Sequence, residues 1–595
     1  MKTIIAHIQL MLRRILRSFT GAFTGGSTAL PVLLIALAAA GVSLNTLQNG
    51  FVYDDTHQVL ENPWIRDWRH LPNIFTTSVW DFIPGATSNY YRPMMHVIYL
   101  FAYQLFGPAP WGFHLVSIVL HIAVSLLVFL LARDLVAAPR QAGPSAALSG
   151  FLAALLFATH PIHTEVVAWI AAVPELSYSF FLLLSFSWYL RSGDGERGAL
   201  SLSVASYFLA ALCKEPALLL PILLVLYDLS YGRWPGKLPV FLRRYAPFLA
   251  AAGLYLVLRS WVLGGLSPFE PHIRMGFWGY VINAFPVFSQ YLEKLIIPVD
   301  LNFYHVFHPI ASLLEPRGIR SLLMAAAFIA AAVLSFRKDK PVFFSLSLIV
   351  VPLLPALYLP AVGMNAFSEH HLYLPSFGFV MLVAQAHSRL RQIRPLLASL
   401  LAVVMLGTAV LYASGTVKRN AVWRDEYTLY TETLKRSPDA AQIHYNLGIV
   451  LEEQGRIQEA IDAYLRAIEL SPRFERPYTN LGILYAKQGR PDDALQVFRR
   501  ATELGPANAE ARNNLGNVLA DLNRLEEAVA EYRTALGLSP SNADAHFNLG
   551  NVYARMGRVS EAVREYQKVL ELAPGDAGAR HRLTELIMRQ QAGSR

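Results

Sequence analysis

The C-terminal part of the sequence repeats itself every 34 residues. The triplet Asn-Leu-Gly begins at positions 446, 480, 514 and 548, and a proline keeps the same interval at positions 438, 472, 506, 540 and 574. A fixed period of this length is typical of a stacked array in which each unit is one pair of helices. Because a single unit cannot bury its own apolar face, the units must pack on one another. This feature constrains the last quarter of the chain to a helical array.

Within each repeat, Leu-Gly comes early, Ala-x3-Phe or Ala-x3-Tyr comes late, and proline comes at the end. This is the tetratricopeptide (TPR) pattern, and it predicts an α-solenoid over residues 439–595, with four full repeats and a terminal helix. One asparagine per repeat falls on or near the predicted concave face, where side-chain amides can clasp an extended peptide backbone. Unless these side chains cap local turns, we expect an acceptor protein or peptide to bind through Asn446, Asn480, Asn514 and Asn548.

The sequence before residue 415 has the composition of a membrane protein. The chain of 595 residues is 54% hydrophobic and only 16% charged, and its acidic residues concentrate in the repeats. We predict an all-α protein with a polytopic membrane domain over 1–414, a linker with a leading helix over 415–438, and the TPR array. Apolar runs long enough to cross a hydrocarbon layer of about 30 Å predict about 11 spans. They are expected near 28–47, 111–133, 146–160, 175–190, 198–213, 215–230, 245–263, 318–336, 341–360, 371–388 and 395–414.

The basic residues predict which way the chain crosses the membrane. They concentrate near the N-terminus and in alternate loops such as 231–244, 337–340 and 389–394. The positive-inside rule places these loops and the N-terminus in the cytoplasm. An odd number of spans then places the TPR array and two long loops, 48–110 and 264–317, on the extracytoplasmic side. The net charge of +9 is accounted for by the cytoplasmic loops, so we expect no nucleic-acid partner.

Two adjacent carboxylates, Asp54 and Asp55, follow the first predicted span. Ionisable groups at a membrane face are costly, and they indicate a function. One carboxylate next to an acceptor hydroxyl can act as a general base. Neighbouring side chains on an extended chain point in opposite directions, so the two are expected to have different roles. The other carboxylate would orient the base, hold a divalent cation or close the loop through hydrogen bonds.

Further ionisable side chains are predicted at the same depth on the same side. Their convergence predicts a shared polar cavity. The histidines lack the spacing of a recognised zinc motif, and the single cysteine, Cys213, adds no cluster of ligands. Any metal therefore stays unassigned. The side chains in question are His163, Glu165, Lys214, Glu215, Glu369, His370 and His371.

Local strings in the membrane domain, together with the spans and the TPR tail, resemble the transmembrane-and-TPR O-mannosyltransferases. That family belongs to the GT-C superfamily of glycosyltransferases, which use lipid-linked sugars. Where the family usually reads Glu-Arg before Leu-Tyr-Leu-Pro-Ser, this chain reads Glu369-His370-His371. The matching strings are Phe-Val-Tyr-Asp-Asp at 51–55, Tyr-Arg-Pro at 91–93, His-Pro-Ile-His-Thr-Glu at 160–165, Cys-Lys-Glu at 213–215, Leu-Tyr-Leu-Pro-Ser at 372–376 and Trp-Arg-Asp-Glu at 423–426.

The resemblance implies a polyprenyl-phosphate-linked sugar, typically mannose, as the donor. The acceptor would be a Ser or Thr hydroxyl of a protein on the outer or luminal side of the membrane. By motif match, Asp54 or Asp55 would be the catalytic carboxylate. We expect the donor phosphate and sugar to be bound by Arg92, Lys214, Glu215, His163, Glu165, Glu369, His370 and His371.

Two other functions are compatible with the sequence. A non-enzymatic membrane scaffold would use the TPR array to assemble envelope or surface complexes, and it would not need Asp54 or Asp55. A GT-C enzyme acting on a lipid or polysaccharide would keep the acidic site, but its TPR array would have no evident substrate role. The polar cluster at the outer face favours an enzyme over a scaffold.

Overall fold

The computed structural model describes residues 28–83, 86, 88–137, 144–193, 195–265, 275–361 and 365–593. The basic N-terminal residues used above to orient the chain lie outside this range. The chain divides into two compact units, Met1–Glu432 and Thr433–Arg595. The boundary lies within the predicted linker, 415–438. The described residues form helices, short 3-10 segments and turns, without a strand.

Fourteen helices of nine or more residues are described in the first unit. Between them lie short helical segments, among them Leu71–Thr76 and Thr164–Ala168. The long helices are α1 Ala29–Ser43, α2 Pro93–Phe106, α3 Pro110–Ala137, α4 Pro144–Thr159, α5 Val173–Gly193, α6 Ala199–Cys213, α7 Leu220–Ser230, α8 Leu238–Leu263, α9 Phe277–Ile296, α10 Pro316–Lys338, α11 Lys340–Leu357, α12 Pro375–Ile393, α13 Pro395–Asn420 and α14 Glu426–Leu434.

All 11 predicted spans are mainly helical. Within the described ranges, seven helices are by themselves long and apolar enough to cross a membrane, and they contain α1, α3, α5, α8, α10, α11 and α13. An eighth candidate is α4 together with Thr164–Ala168, which are bent by 49° relative to each other. The helices indicate a membrane protein, and the count of 11 stands as approximate.

The remaining predicted spans are too short or too polar to cross a membrane by themselves, and the structure shows why. Helix α6 has 15 residues and α7 has 11, because Lys214 is extended and Pro216 follows it at the start of a 3-10 segment. Helix α12 is long enough but carries polar side chains that pack inward. His387 contacts the Ser149 hydroxyl at 2.8 Å, and Gln385 donates to the Ser345 hydroxyl at 3.0 Å. Such hydrogen bonds stabilise polar side chains inside a helical bundle. The polar residues themselves lower the mean hydropathy of the segment.

The second unit is a series of antiparallel helix pairs, as the 34-residue period predicts. Each turn between paired helices contains a residue in the left-handed region, with φ of 74° at Gly455, 70° at Gly489, 58° at Asn523 and 74° at Gly557. The pairs are α15 Ala441–Glu453 and α16 Ile457–Leu470, α17 Glu475–Lys487 and α18 Pro491–Leu504, α19 Ala509–Asp521 and α20 Leu525–Leu538, α21 Ala543–Arg555 and α22 Val559–Leu572, followed by α23 Ala577–Gly593.

The glycine of each Asn-Leu-Gly triplet lets an aromatic ring approach the helix backbone. A Cβ added at Gly516 would lie 2.7 Å from the ring of Tyr532. That ring is buried, and its hydroxyl donates to Asn517 at 2.7 Å, so it cannot move aside easily. The same contact recurs at Gly448, Gly482 and Gly550. The glycines are therefore required by packing within each pair.

Two alanine substitutions in one repeat should have opposite effects. Gly516→Ala should lower the free energy of unfolding of this repeat by about 1–3 kcal/mol, because the new methyl group overpacks the Tyr532 contact. Gly537→Ala, at an exposed helical site with no atom within 4 Å of the added Cβ, should raise it by about 1 kcal/mol. Hydrogen-exchange mass spectrometry on peptides from 509–542 measures both changes in the full chain. Equal effects of the two substitutions would contradict this packing role.

Candidate active site

Asp55 is held by the backbone of two loops. It is fully buried, its Oδ2 accepts from the Val52 amide at 3.1 Å, and its Oδ1 accepts from the Ala171 amide at 2.7 Å. Burial raises the pKa of Asp55 well above its usual range, while hydrogen bonds from backbone amides act in the opposite direction. Oδ2 therefore closes a turn at the start of the first loop, and Oδ1 ties that loop to the turn at 170–172.

Asp54 differs from its neighbour in every respect that matters for chemistry. It is half-buried, and within the described residues its carboxylate makes no hydrogen bond or ion pair. Burial raises the pKa of Asp54 from 3.8 to about 6, opposed by the charge of His57. The backbone immediately before it is strained, because Tyr53 has a φ of 56°. The structure therefore separates the adjacent pair into one anchoring carboxylate and one that is available to a ligand.

A second group of ionisable side chains surrounds His370. Its Nδ1 lies 2.7 Å from Glu165 and its Nε2 lies 3.5 Å from Glu175, which also pairs with Lys214. Burial lowers the pKa of Lys214 to about 7, assisted by the nearby charge of Arg92. Burial also lowers the pKa of His370 well below its usual range, so the ring is neutral at physiological pH. The first loop meets this group through aromatic contacts, since the Trp169 ring lies 6.1 Å from that of Tyr53 and 6.3 Å from that of His370.

Two arginines share one carboxylate beside this group. Arg92 donates to Glu215 Oε2 from Nε at 3.1 Å and from Nη2 at 2.8 Å, and Arg259 donates to Oε1 at 3.0 Å. Although burial acts to raise it, the charges of Arg92 and Arg259 hold the pKa of Glu215 below its usual value. The trio carries one net positive charge, and the two arginine side chains are 17% and 12% exposed. This arrangement suits an anion such as a phosphate.

Three other predicted site residues have partners that restrict their roles. Glu369 accepts from the Asn302 amide at 2.5 Å, His305 at 3.1 Å and Arg419 at 3.2 Å, so it anchors the segment after α9. His371 contacts the Tyr291 hydroxyl at 3.0 Å, beside His370. His163 contacts the Ser376 hydroxyl at 2.9 Å, and its ring packs against Phe157 and Tyr373. The structure thus brings His371 to the cluster, while Glu369 and His163 hold surrounding elements together.

The four repeat asparagines contact other side chains of the array. Asn446 accepts from Gln442 at 2.9 Å, Asn480 donates to the Tyr464 hydroxyl at 3.3 Å, and Asn548 donates to Asn513 at 3.2 Å. Asn514 accepts from Asn513 at 3.5 Å. All four are half-buried, and none of them accepts from a backbone amide of the described residues. Capping is done instead by other asparagines, Asn508 and Asn542, which accept from the amides of Ala511 and Ala545. The four side chains therefore form a polar strip rather than local caps.

Sequence reasoning missed Arg259 and Arg419, and it did not assign Glu175 to the site. Arg259 lies inside the predicted span 245–263, and a charged residue within an apolar helix is a recognised signal of function. Arg419 stands next to Lys418 at the end of α13 and looks like an ordinary helix terminus. Within the part of the chain that the structure describes, no three His, Cys, Asp or Glu side chains are arranged to hold a metal ion.

Comparisons with known proteins agree with both parts of the fold. A family model described as TPR repeat matches residues 451–489 and 516–557, and tetratricopeptide repeat models match 485–535 and 543–576. Protein O-mannosyl-transferases are similar over most of the chain. One from Caenorhabditis elegans is 28% identical over 75% of this chain and 63% of its own length. TMTC3 from Mus musculus is 26% identical over 73% of this chain and 50% of its own length.

The chain therefore spans half to about two thirds of the curated relatives it matches. Among solved structures, YrrB, a TPR protein with an unusual peptide-binding site, is 26% identical over 29% of this chain and 86% of its own, with a TM-score of 0.25. The chain is similar to the TMTC protein O-mannosyl-transferases, the family that its motifs predict, and it carries tetratricopeptide repeats.

Proposed function

We propose that this protein is a GT-C glycosyltransferase that moves a sugar, mannose by analogy with its relatives, from a polyprenyl phosphate to a Ser or Thr hydroxyl of a protein. The observation that carries the proposal is Asp54. It is a half-buried carboxylate without a partner in the described residues, its pKa is raised to about 6, and it follows Tyr53, whose ring contacts Trp169, which in turn contacts His370 of the ionisable cluster. The named activity of the relatives supports the same reaction.

The reaction needs one base. Asp54 takes the proton of the acceptor hydroxyl as its oxygen forms a bond to the anomeric carbon of the sugar. The bond from that carbon to the phosphate oxygen breaks at the same time, and the phosphate leaves with the electron pair. A base with a pKa about 6 is mostly ionised at neutral pH and is still basic enough to accept a proton in the transition state. One carboxylate suffices because the leaving phosphate needs no proton, unlike the leaving group of a glycosidase.

In the proposed reaction, cationic side chains in fixed positions stabilise the negative charge that develops on the leaving phosphate. Arg92 and Arg259 share Glu215 and keep one net positive charge for the donor. Lys214 lies beside them, and its pKa of about 7 lets a bound anion favour the protonated form. Preorganised charges of this kind stabilise the transition state without reorganising during the reaction. The steps described here need no metal ion.

An apolar cavity gives the donor tail a place to lie. It has a volume of about 750 Å³ and lies between α9, α10 and α11, lined by Phe285, Phe288, Phe328, Val333 and Phe343 among others. Phe288 is three residues from Tyr291, whose hydroxyl contacts His371. A polyprenyl chain in this cavity would therefore end close to the polar cluster.

The proposed sidedness follows from the basic loops. Chain direction puts the loop between α7 and α8, with Arg233 and Lys237, at the ends of these helices away from Lys214 and Arg259. The α10–α11 connection, with Arg337 and Lys338, is likewise at the ends away from the cluster. The positive-inside rule makes that face cytoplasmic and the Asp54 face extracytoplasmic. We propose the same extracytoplasmic compartment for the TPR array, which would hold the acceptor polypeptide along its asparagine strip.

The direct test is transfer of labelled mannose from polyprenyl-phosphate mannose to a Ser/Thr-rich protein in membranes that contain the purified chain. The product should release its sugar on alkaline β-elimination, as an O-linked sugar does. Label that appears on lipid or polysaccharide instead would move the function to that acceptor class. No transfer from any donor of this class would contradict an enzyme and favour the scaffold.

The pH dependence should report Asp54. Only the carboxylate form is a base, so kcat/KM should fall tenfold per pH unit below about pH 6, and it should fall again above about pH 7 as Lys214 loses its proton. The measurement is initial-rate transfer between pH 4.5 and 8, with activity rechecked at pH 7.5 after each incubation to exclude irreversible unfolding. A rate that stays level down to pH 4.5 would contradict a base with a raised pKa.

Arg259 should contribute to donor binding. Its removal leaves Arg92 and Glu215 as a neutral pair, so Arg259→Met should raise the KM for the lipid-linked donor by about 10–100-fold, as expected for loss of a charged hydrogen bond. Arg320→Met is the matched control, because Arg320 is 65% exposed and lies 3.5 Å from Glu293. Equal donor KM values for the two variants would contradict the assignment.

The asparagine strip should affect long acceptors only. The combined change Asn480→Ala, Asn514→Ala and Asn548→Ala should raise KM for a protein acceptor by about 100-fold, through loss of three backbone hydrogen bonds worth about 1 kcal/mol net each. The KM for a short Ser-containing peptide, too short to reach the array, should stay unchanged. A parallel rise for both acceptors would show that the strip does not bind acceptor.

A further inference from the structure

The segment 417–426, which we call the strap, lies along the start of the first loop. It runs from the last turn of α13 to the first residue of α14. Six hydrogen bonds join it to residues 42–53, although more than 370 residues separate the partners in sequence. They link Asn45 Nδ2 to Val417 O at 2.9 Å, Asn49 Nδ2 to Asn420 O at 3.1 Å, Asn420 Nδ2 to Val42 O and to Asn45 Oδ1, both at 2.8 Å, the Gly50 amide to Arg424 O at 2.8 Å, and the Tyr53 amide to Glu426 Oε1 at 2.9 Å.

The last of these bonds is placed where the loop is strained. Tyr53 has a φ of 56°, a left-handed conformation that disfavours a residue with a bulky side chain. Such conformations persist only where the surroundings hold them, and they cluster at functional sites. A bond from a carboxylate to the Tyr53 amide is charge-assisted, and it acts on the residue directly before Asp54.

The strap also contributes aromatic packing next to the Tyr53 turn. Trp423 is fully buried, and its ring is stacked with Trp169 at 6.0 Å and packed edge-on against Phe303 at 5.4 Å. The Tyr53 ring in turn lies 5.1 Å from Phe303. The backbone and the ring of Tyr53 are thus both held by the strap or by residues packed on it.

We propose that Glu426 is a positioning residue for the proposed base: it holds the Tyr53 turn so that the Asp54 carboxylate stays half-buried. The proposal rests on the proposed transferase function. It assigns the Trp-Arg-Asp-Glu string at 423–426 to the support of the proposed active site rather than to the start of the repeats. Without the Glu426 bond, the Tyr53 turn would relax to an ordinary conformation and Asp54 would become more exposed to water.

Three substitutions in the full chain test this proposal. Glu426→Ala removes the acceptor, Glu426→Gln keeps an oxygen for the Tyr53 amide, and Arg424→Ala is the control. The Arg424 side chain is 66% exposed, and its backbone carbonyl, which binds Gly50, is kept in the variant. We expect Glu426→Ala to lower kcat by at least tenfold with little change in donor KM, and Glu426→Gln to recover most of the loss.

A second readout separates positioning from general damage. Exposure of Asp54 should bring its pKa from about 6 toward 3.8, so the acid limb of the Glu426→Ala profile should move to lower pH. Lower activity with an unmoved limb, or a wild-type rate and profile, would overturn the proposal. If the wild type transfers no sugar, the proposed function fails first. Amide exchange at 50–56 then decides the rest: faster exchange in Glu426→Ala supports the bond's role, and unchanged exchange overturns it.

Discussion

The hydrogen bonds from backbone amides to Asp55 are the interaction on which the proposed site depends. They use both oxygens of one carboxylate and join the first loop to the turn before α5. Hydrogen bonds to a charged group contribute about 1.5–3 kcal/mol each, and losing one leaves a buried group without a partner. With Asp55 fixed in this way, the carboxylate of its neighbour Asp54 stays half-buried without a partner in the described residues. A pair that looks redundant in sequence is therefore divided into an anchor and the proposed base.

The group of ionisable side chains around His370 and Glu215 is close to electrically balanced before any donor binds. Burying unpaired charges would cost several kcal/mol each, so balance is a condition for collecting so many of them at a membrane face. The charges are not balanced at every position, because Arg92 and Arg259 share the single carboxylate of Glu215. One positive charge there is left for the phosphate of the proposed donor. The carboxylates Glu175, Glu215 and Glu369 stand beside the cationic side chains Arg92, Lys214, Arg259 and Arg419, while burial and the nearby charge of Glu369 raise the pKa of Glu165 to about 8.

The sequence predicts the structure best in two places: where residues recur at a fixed interval, and where long apolar runs favour transfer into a membrane. The 34-residue interval fixes the repeats because the glycines, aromatics and turns must recur together. Hydrophobic runs locate the helical segments of the membrane unit, but α12 shows the limit of this signal. Its Gln385 and His387 side chains form hydrogen bonds with other helices. The apolar run alone does not show that these polar side chains have partners. The site residues are predicted as a group, because spans bring their ends to one depth. Their individual roles depend on tertiary contacts, such as the Ala171 amide for Asp55 or the Ser376 hydroxyl for His163, which no local string contains.

The most direct measurement compares Asp54→Asn with Asp55→Asn for sugar transfer and thermal stability in the same membrane preparation. The account predicts that Asp54→Asn keeps the wild-type melting temperature and loses transfer by about 100-fold or more, as expected for removal of a general base. It predicts that Asp55→Asn lowers the melting temperature and loses less transfer per folded molecule than Asp54→Asn does. A stable Asp55→Asn without transfer, together with an active Asp54→Asn, would contradict the assignment of base and anchor.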